Sequence, residues 1–174
     1  FMSSAARATS HPQVSRYQRD TAMIDVDGMN SYVFDVFRVD GGQLHTYCFH
    51  GARSKDLLCN ADLKPATSES GKAYLAKHKE GTRVEGRAPD TLVADWTLDE
   101  DLQRGYQGAA YQKDRRPVTR LNLFGVAGAD VLAGNATSDF YQYDFPFLYV
   151  QRRTDQASLS TAWTAVVEPF AGEA

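Results

Sequence analysis

The run Ser31-Tyr32-Val33-Phe34-Asp35-Val36-Phe37-Arg38-Val39-Asp40-Gly41-Gly42-Gln43-Leu44-His45-Thr46-Tyr47-Cys48-Phe49-His50-Gly51 decides the fold. Between Tyr32 and Val39, aromatic and β-branched residues occupy both alternate sets: Tyr32, Phe34 and Val36 in one, Val33, Phe37 and Val39 in the other. Such side chains suit a pleated surface, so the segment reads as a strand. Apolar residues in both sets predict a strand covered on both faces. Asp40-Gly41-Gly42 tolerates positive φ, and Gln43 to His50 reads as the next strand after a tight turn.

The same period of two recurs outward from this run. Strand-like segments are Arg16 to Val26, Leu92 to Leu98, Val118 to Phe124, Phe147 to Arg153 and Ser160 to Val167. With Asp27-Gly28-Met29-Asn30 as a second turn, the first three strands are expected to form an antiparallel meander. The economical fold class is all-β, an antiparallel β-sandwich. Residues 60–90 form a long polar insertion, in which Ala73 to His78 is the only hint of a helical turn. Asp99 to Arg116, with Lys113-Asp114-Arg115-Arg116, reads as a surface loop or edge hairpin. Residues 1–13 carry no period and are expected to be a mobile lead-in, with residues 14–174 as one sandwich domain.

Composition excludes several classes. Nine Phe, nine Tyr and two Trp with a net charge of −3 in 174 residues argue for a packed core rather than disorder. No basic excess exists to neutralise phosphates, so nucleic acid is not an expected partner. No apolar run reaches the roughly 20 residues of a spanning helix. The start, Phe1-Met2-Ser3-Ser4, lacks the pattern of a signal peptide, and the chain is expected to be a fragment of a larger protein. Cys48 and Cys59 are too few for a disulfide scaffold, although one bridge is open to them; Cys48, between aromatics in a strand, is expected in the core.

Catalytic patterns are sparse. His45 and His50 lie five apart, which puts them on opposite faces of a regular strand, and neither His11 nor His78 adds a third ligand, so no zinc site is expected within the chain. There is no nucleophile elbow, and the glycine pairs fit no phosphate-binding loop. The carboxylates Asp35, Asp95, Asp99, Glu100, Asp101, Asp144 and Glu168 show no pairing along the sequence; Asp35 and Arg38, three apart, face opposite ways. No catalytic residue is assigned. Candidates for contact with a glycan are His45, His50, the pair Arg152-Arg153, and Tyr141 and Tyr143 in the aromatic row that continues through Phe145, Phe147 and Tyr149. Arginine forks match carboxylate or sulfate, while aromatic rings either stack on sugars or fill a core. Asn135-Ala136-Thr137 fits a glycosylation acceptor.

Taken together, the Asp-x-Phe-Arg-Val of Asp35 to Val39, Gly41-Gly42, His45-x-Tyr47 and Phe49-His50-Gly51 resemble a run in the C-terminal β-sandwich region of heparinase II/III-like proteins. Tyr17 to Asp20, Phe147 to Arg153 and Trp163 to Phe170 resemble that region in order and spacing. The resemblance implies a parent polysaccharide lyase that cleaves uronate-containing glycans by β-elimination, with an N-terminal α/α toroid as the sandwich's partner and a zinc in the full-length protein. It implies a periplasmic or extracellular setting, and a structural or cleft-lining role for this chain, which has no counterpart to the toroid. Two other readings stand beside it: a free-standing carbohydrate-binding module for acidic glycans, using the Phe140 to Val150 aromatics, and a small metal-dependent enzyme using His45 and His50.

Overall fold

The computed structural model describes residues 2–6, 11–28, 30–54, 57–67, 83–99, 115–137 and 144–173. In chain order the strands are β1 (Met2–Ala6), β2 (Val14–Asp25), β3 (Ser31–Gly41), β4 (Leu44–Phe49), β5 (Leu57–Cys59), β6 (Lys64–Pro65), β7 (Val84–Arg87), β8 (Thr91–Thr97), β9 (Arg115–Phe124), β10 (Asp130–Thr137), β11 (Asp144–Arg153) and β12 (Ser160–Glu173). They form a seven-stranded sheet, β1-β2-β3-β12-β9-β8-β5, and a five-stranded sheet, β4-β11-β10-β7-β6, antiparallel throughout. The expected all-β sandwich is the observed one. Among the described residues there is no helix long and apolar enough to cross a membrane.

The strands obey the period that announced them. In β8 the burial alternates without a break: Leu92, Ala94 and Trp96 point inward, and Thr91, Val93, Asp95 and Thr97 point out. Leu121, Leu123, Val131, Ala133, Leu148, Val150, Trp163 and Ala165 meet them from both sheets. Trp163 stacks on Phe37 at 5.6 Å between ring centroids, and Phe49 leans on Trp96 at 5.3 Å. Burying an aromatic or aliphatic side chain of this size contributes about 1.5–3 kcal/mol, so this layer carries the fold.

Three expectations drawn from the opening run are corrected. β2 and β3 do form a hairpin, with Asp25 opposite Ser31 and the turn closed by Val26 N–H to Asn30 O at 2.9 Å and Asn30 N–H to Asp27 Oδ1 at 2.9 Å. β4, however, does not continue the meander: it leaves for the other sheet and pairs with β11. The reason lies in the turn. Gly41 and Gly42 sit at φ +105° and +73°, and their backbone groups bond the connection before β12, Gly41 N–H to Leu159 O and Leu159 N–H to Gly42 O, each at 2.8 Å. The chain is thereby passed between sheets rather than folded back.

The second correction concerns β3 itself. The buried residues of β3 are all odd, Asp35, Phe37, Val39 and Gly41; Phe34 on the other face is 38% exposed. Its outward neighbours across the register are Ala22 and Val166, which shield it partly from the side and not from above. The strand buried on both faces is β11, from Pro146 to Gln151. Cys48 is corrected as well: even positions of β4 face away from the core, and its thiol is exposed. Cys48 and Cys59 are both free, in different sheets.

Residues 2–6, expected within a lead-in, contribute the edge strand β1 beside β2. Parts of the polar 60–90 insertion join the second sheet as β6 and β7, while its centre, with Ala73 to His78, lies outside the described residues, as does most of the 99–116 segment. The strand β10 escaped notice because Ala133, Gly134, Asn135 and Ala136 have weak strand preference; tertiary pairing on both edges overrides it. Gly86 in β7 is required, since a Cβ there would collide with the backbone of Asp62.

Candidate functional site

Two polar clusters stand out: a buried one inside the sandwich and an open one at its end. The buried cluster begins with Asp35, only 2% exposed at the inner face of β3. Arg19, one strand away on β2, grips it with a two-pronged fork: Nε to Oδ1 at 2.9 Å and Nη2 to Oδ2 at 2.8 Å. From the opposite sheet the Tyr47 hydroxyl donates to Oδ2 at 2.9 Å. The Arg19 guanidinium also lies 5.9 Å from the Phe37 ring centroid and 5.7 Å from that of Tyr47. A carboxylate can be buried at tolerable cost only when its lone pairs are met in this way.

His45 completes the layer. It is 5% exposed, and both ring nitrogens are engaged: Nδ1 with Thr161 Oγ1 at 2.8 Å and Nε2 with the Gly41 carbonyl. Because a carbonyl only accepts, Nε2 carries a hydrogen; in the neutral ring, Nδ1 then accepts from the Thr161 hydroxyl. The imidazole joins β4, the Gly41 corner and β12, and Trp163 packs against its ring at 6.1 Å. His50 sits beyond the end of β4, exposed, with Nδ1 3.3 Å from the Pro146 carbonyl. The two histidines are not brought together. Among the described residues no three His, Cys, Asp or Glu side chains gather as a metal site, so they offer no ligand set for the zinc that the resemblance attaches to a parent protein.

The buried cluster shapes the titration of its members. Desolvation, followed by the neighbouring Asp35 charge, raises Tyr47 well above the usual phenol range, and the Asp35 hydrogen bonds raise Arg19 further. A raised tyrosine pKa means that the folded chain holds a proton the unfolded chain releases. Its contribution to stability is therefore complete below the unfolded value of about 10 and lost as pH rises above it. Tyr47→Phe should cost about 1 kcal/mol at neutral pH through the lost bond to Asp35, yet flatten the alkaline fall in stability. Urea unfolding midpoints from neutral pH to about pH 11 check this; parallel alkaline slopes in the two proteins would refute it.

Other carboxylates are likewise engaged within the chain. Asp95 receives a two-pronged fork from Arg120 at 2.8 and 2.7 Å, Glu168 accepts from Asn122 at 3.3 Å, and Asp99 lies 3.7 Å from Arg53. Asp35 and Arg38 do not pair, as their spacing predicts; Arg38 reaches Asp20 at 2.8 Å. Glu100 and Asp101 lie outside the described residues. No facing pair of carboxylates suited to acid–base work emerges from these contacts.

The open cluster lies where β7, the turn before β10 and the end of β11 meet. Arg87, Arg152, Arg153, Asp130, Gln151 and Asp155 are among the residues lining a cleft of about 480 Å³. Arg87 Nη1 bonds Asp130 Oδ1 at 2.8 Å and Gly128 O at 3.0 Å, and Arg152 Nη2 bonds Gly125 O at 2.6 Å. The pair Arg152-Arg153 was legible as a candidate; Arg87, one arginine in a polar stretch, gave no signal and joins them only through the β7–β10 register that sets it opposite Asp130.

A larger hollow of about 620 Å³ is lined by Leu57, Leu63, Val84, Phe147 and others, with Asp62 as the one charged residue among the described residues of its lining. Of the aromatic row, Phe147 is fully buried and Tyr149 is 8% exposed, packed ring to ring at 4.8 Å, so these two do not line an open platform. Tyr141 and Tyr143 lie outside the described residues. Asn135 is half-buried inside β10 rather than in a loop. No family model matches the chain, and a search of curated proteins finds no match.

Proposed function

We propose that this chain is the C-terminal β-sandwich module of a heparinase II/III-like polysaccharide lyase, whose full-length form cleaves uronate-containing glycans by β-elimination in a periplasmic or extracellular setting. The module's part is to frame and line the polymer cleft. The base and acid of elimination, any zinc and the α/α toroid belong to the rest of the parent.

The observation that carries this reading is the fate of the residues behind the resemblance. Arg19, Asp35 and Tyr47 form one set of bonds between the sheets, and His45 forms a second with Gly41 and Thr161, so that the Asp35 carboxylate and both His45 ring nitrogens are engaged within the fold. Such a run marks a scaffold. A residue set that recurs for catalysis would converge on a cleft instead. The groups placed to meet an acidic polymer are Arg152 and Arg153 at the open end, with the exposed His50 on a different part of the surface.

Purified chain incubated with alginate, heparin or chondroitin sulfate should generate no unsaturated uronate, followed by its ultraviolet absorbance. The reading frame upstream of Phe1 should encode a helical toroid. Sustained turnover by the 174 residues alone, or a frame without that toroid, would overturn the reading.

A further inference from the structure

The turn between β9 and β10 holds two arginines in place before any ligand arrives. Gly125 and Gly128 adopt φ +66° and +71°, a region that L side chains enter only with strain, and nothing lies within 4 Å of a Cβ built at either. The carbonyls so presented accept from Arg152 and Arg87. Each guanidinium keeps further N–H groups beyond those bonds. Arg153, the next residue along β11, is exposed, and its side chain makes no ion pair or hydrogen bond among the described residues, so its planar fork is available.

Charge and acceptors define what fits between them. Among the described residues three arginines and two aspartates line this cleft, and Asp130 is already answered by Arg87 at 2.8 Å, which leaves a local charge of +1 from these residues. Gln151, 7% exposed, donates through Nε2 to Thr46 Oγ1 at 3.0 Å, which leaves its carbonyl oxygen as an acceptor, and Asp155 supplies another. Guanidinium forks select carboxylate or sulfate, and amide or carboxylate acceptors select hydroxyls. The adjoining hollow, about 450 Å³, brings Glu85 up beside Arg87 and Arg153. A second oxyanion of the ligand placed in that hollow would meet this carboxylate, whereas a hydroxyl there would not.

We propose that the Arg87–Arg152–Arg153 cleft is a binding subsite for a single sugar unit bearing one carboxylate or sulfate group. It rests on the lyase reading only for the identity of the polymer; the subsite itself stands on this geometry. Two anchored guanidiniums lower the ordering cost of binding, and the free one supplies the contact that forms only with ligand.

The test is calorimetric or NMR titration of the full chain with D-glucuronate, glucose 6-sulfate, inorganic sulfate and D-glucose. At least one charged sugar should bind, and the better of the two identifies the oxyanion. Arg153→Ala should weaken it about tenfold or more, as befits a charge-assisted hydrogen bond. Arg152→Ala should weaken it too, and Arg16→Ala, on the outer face of the other sheet, should leave it unchanged. Binding of glucose as tight as that of the charged sugars, inorganic sulfate as tight as glucose 6-sulfate, or indifference to Arg153→Ala would each overturn the subsite. Arginine-dependent binding alongside an upstream frame without a toroid would keep the subsite and remove the lyase reading. A toroid with no binding would do the reverse.

Discussion

Arg19→Ala is expected to destabilise the fold by about 3 kcal/mol, more than Asp35→Asn, although Arg19 is the more exposed partner. Its side chain is 48% exposed and that of Asp35 3%, so the two halves of the pair have unequal alternatives. When Asp35 becomes neutral, Arg19 can turn to water. When Arg19 is removed, the carboxylate stays behind in the sandwich with the Tyr47 hydroxyl as its remaining donor. A stranded buried charge costs about 3–5 kcal/mol. The lower end applies here because loss of a half-exposed side chain opens a path for water. The double variant Arg19→Ala/Asp35→Asn should recover part of the loss, since the charge that made Arg19 necessary is gone. Urea denaturation of the three variants gives the values; additive losses, or a neutral Arg19→Ala, would show that the pair is held by its surroundings rather than by its charges.

Gly51→Ala should be comparably severe, about 3 kcal/mol, for a reason without charge. A Cβ built there would lie inside the indole of Trp96, against Cγ, Cδ2 and Cε2. Trp96 is fully buried, with Phe49 on it and Leu57 and Leu121 in the same core, so any retreat of the ring, into the hollow that it lines beside Leu57, gives up that packing. Gly28→Ala is the matched control: φ there is not positive and nothing lies within 4 Å of the added carbon, so its effect should be small. Thermal or chemical denaturation of both variants separates steric exclusion from the general entropy cost of glycine. Near-equal stabilities would mean that the indole can shift.

These two predictions also explain the shape of the recognisable run. Asp35, Gly41, His45, Tyr47 and Gly51 look like chemistry when written in a line, because histidine, tyrosine and aspartate are the usual vocabulary of catalysis. In the fold they are a carboxylate that needs donors, a corner that needs positive φ, a ring that joins three elements, and a contact too close for a side chain.

The period of two in β3, β8 and β12 sufficed to predict strands, because alternation is a local property of the pleat, but in β3, apolar in both sets, it did not say which set turns inward. Even the inability of Asp35 to pair with Arg38 followed from spacing alone. Local pattern could not say which sheet a strand joins: Gly41-Gly42 is as suitable for a hairpin as for a corner, and only bonds to Leu159, far along the chain, choose between them. Nor could it show that β10 exists, that Cys48 faces outward, or that Arg87 meets Arg152 and Arg153. Side-chain alternation is settled by neighbouring residues, whereas strand partners, cleft membership and the burial of a charge are settled by groups distant in sequence, which acquire positions only when both sheets close over one another.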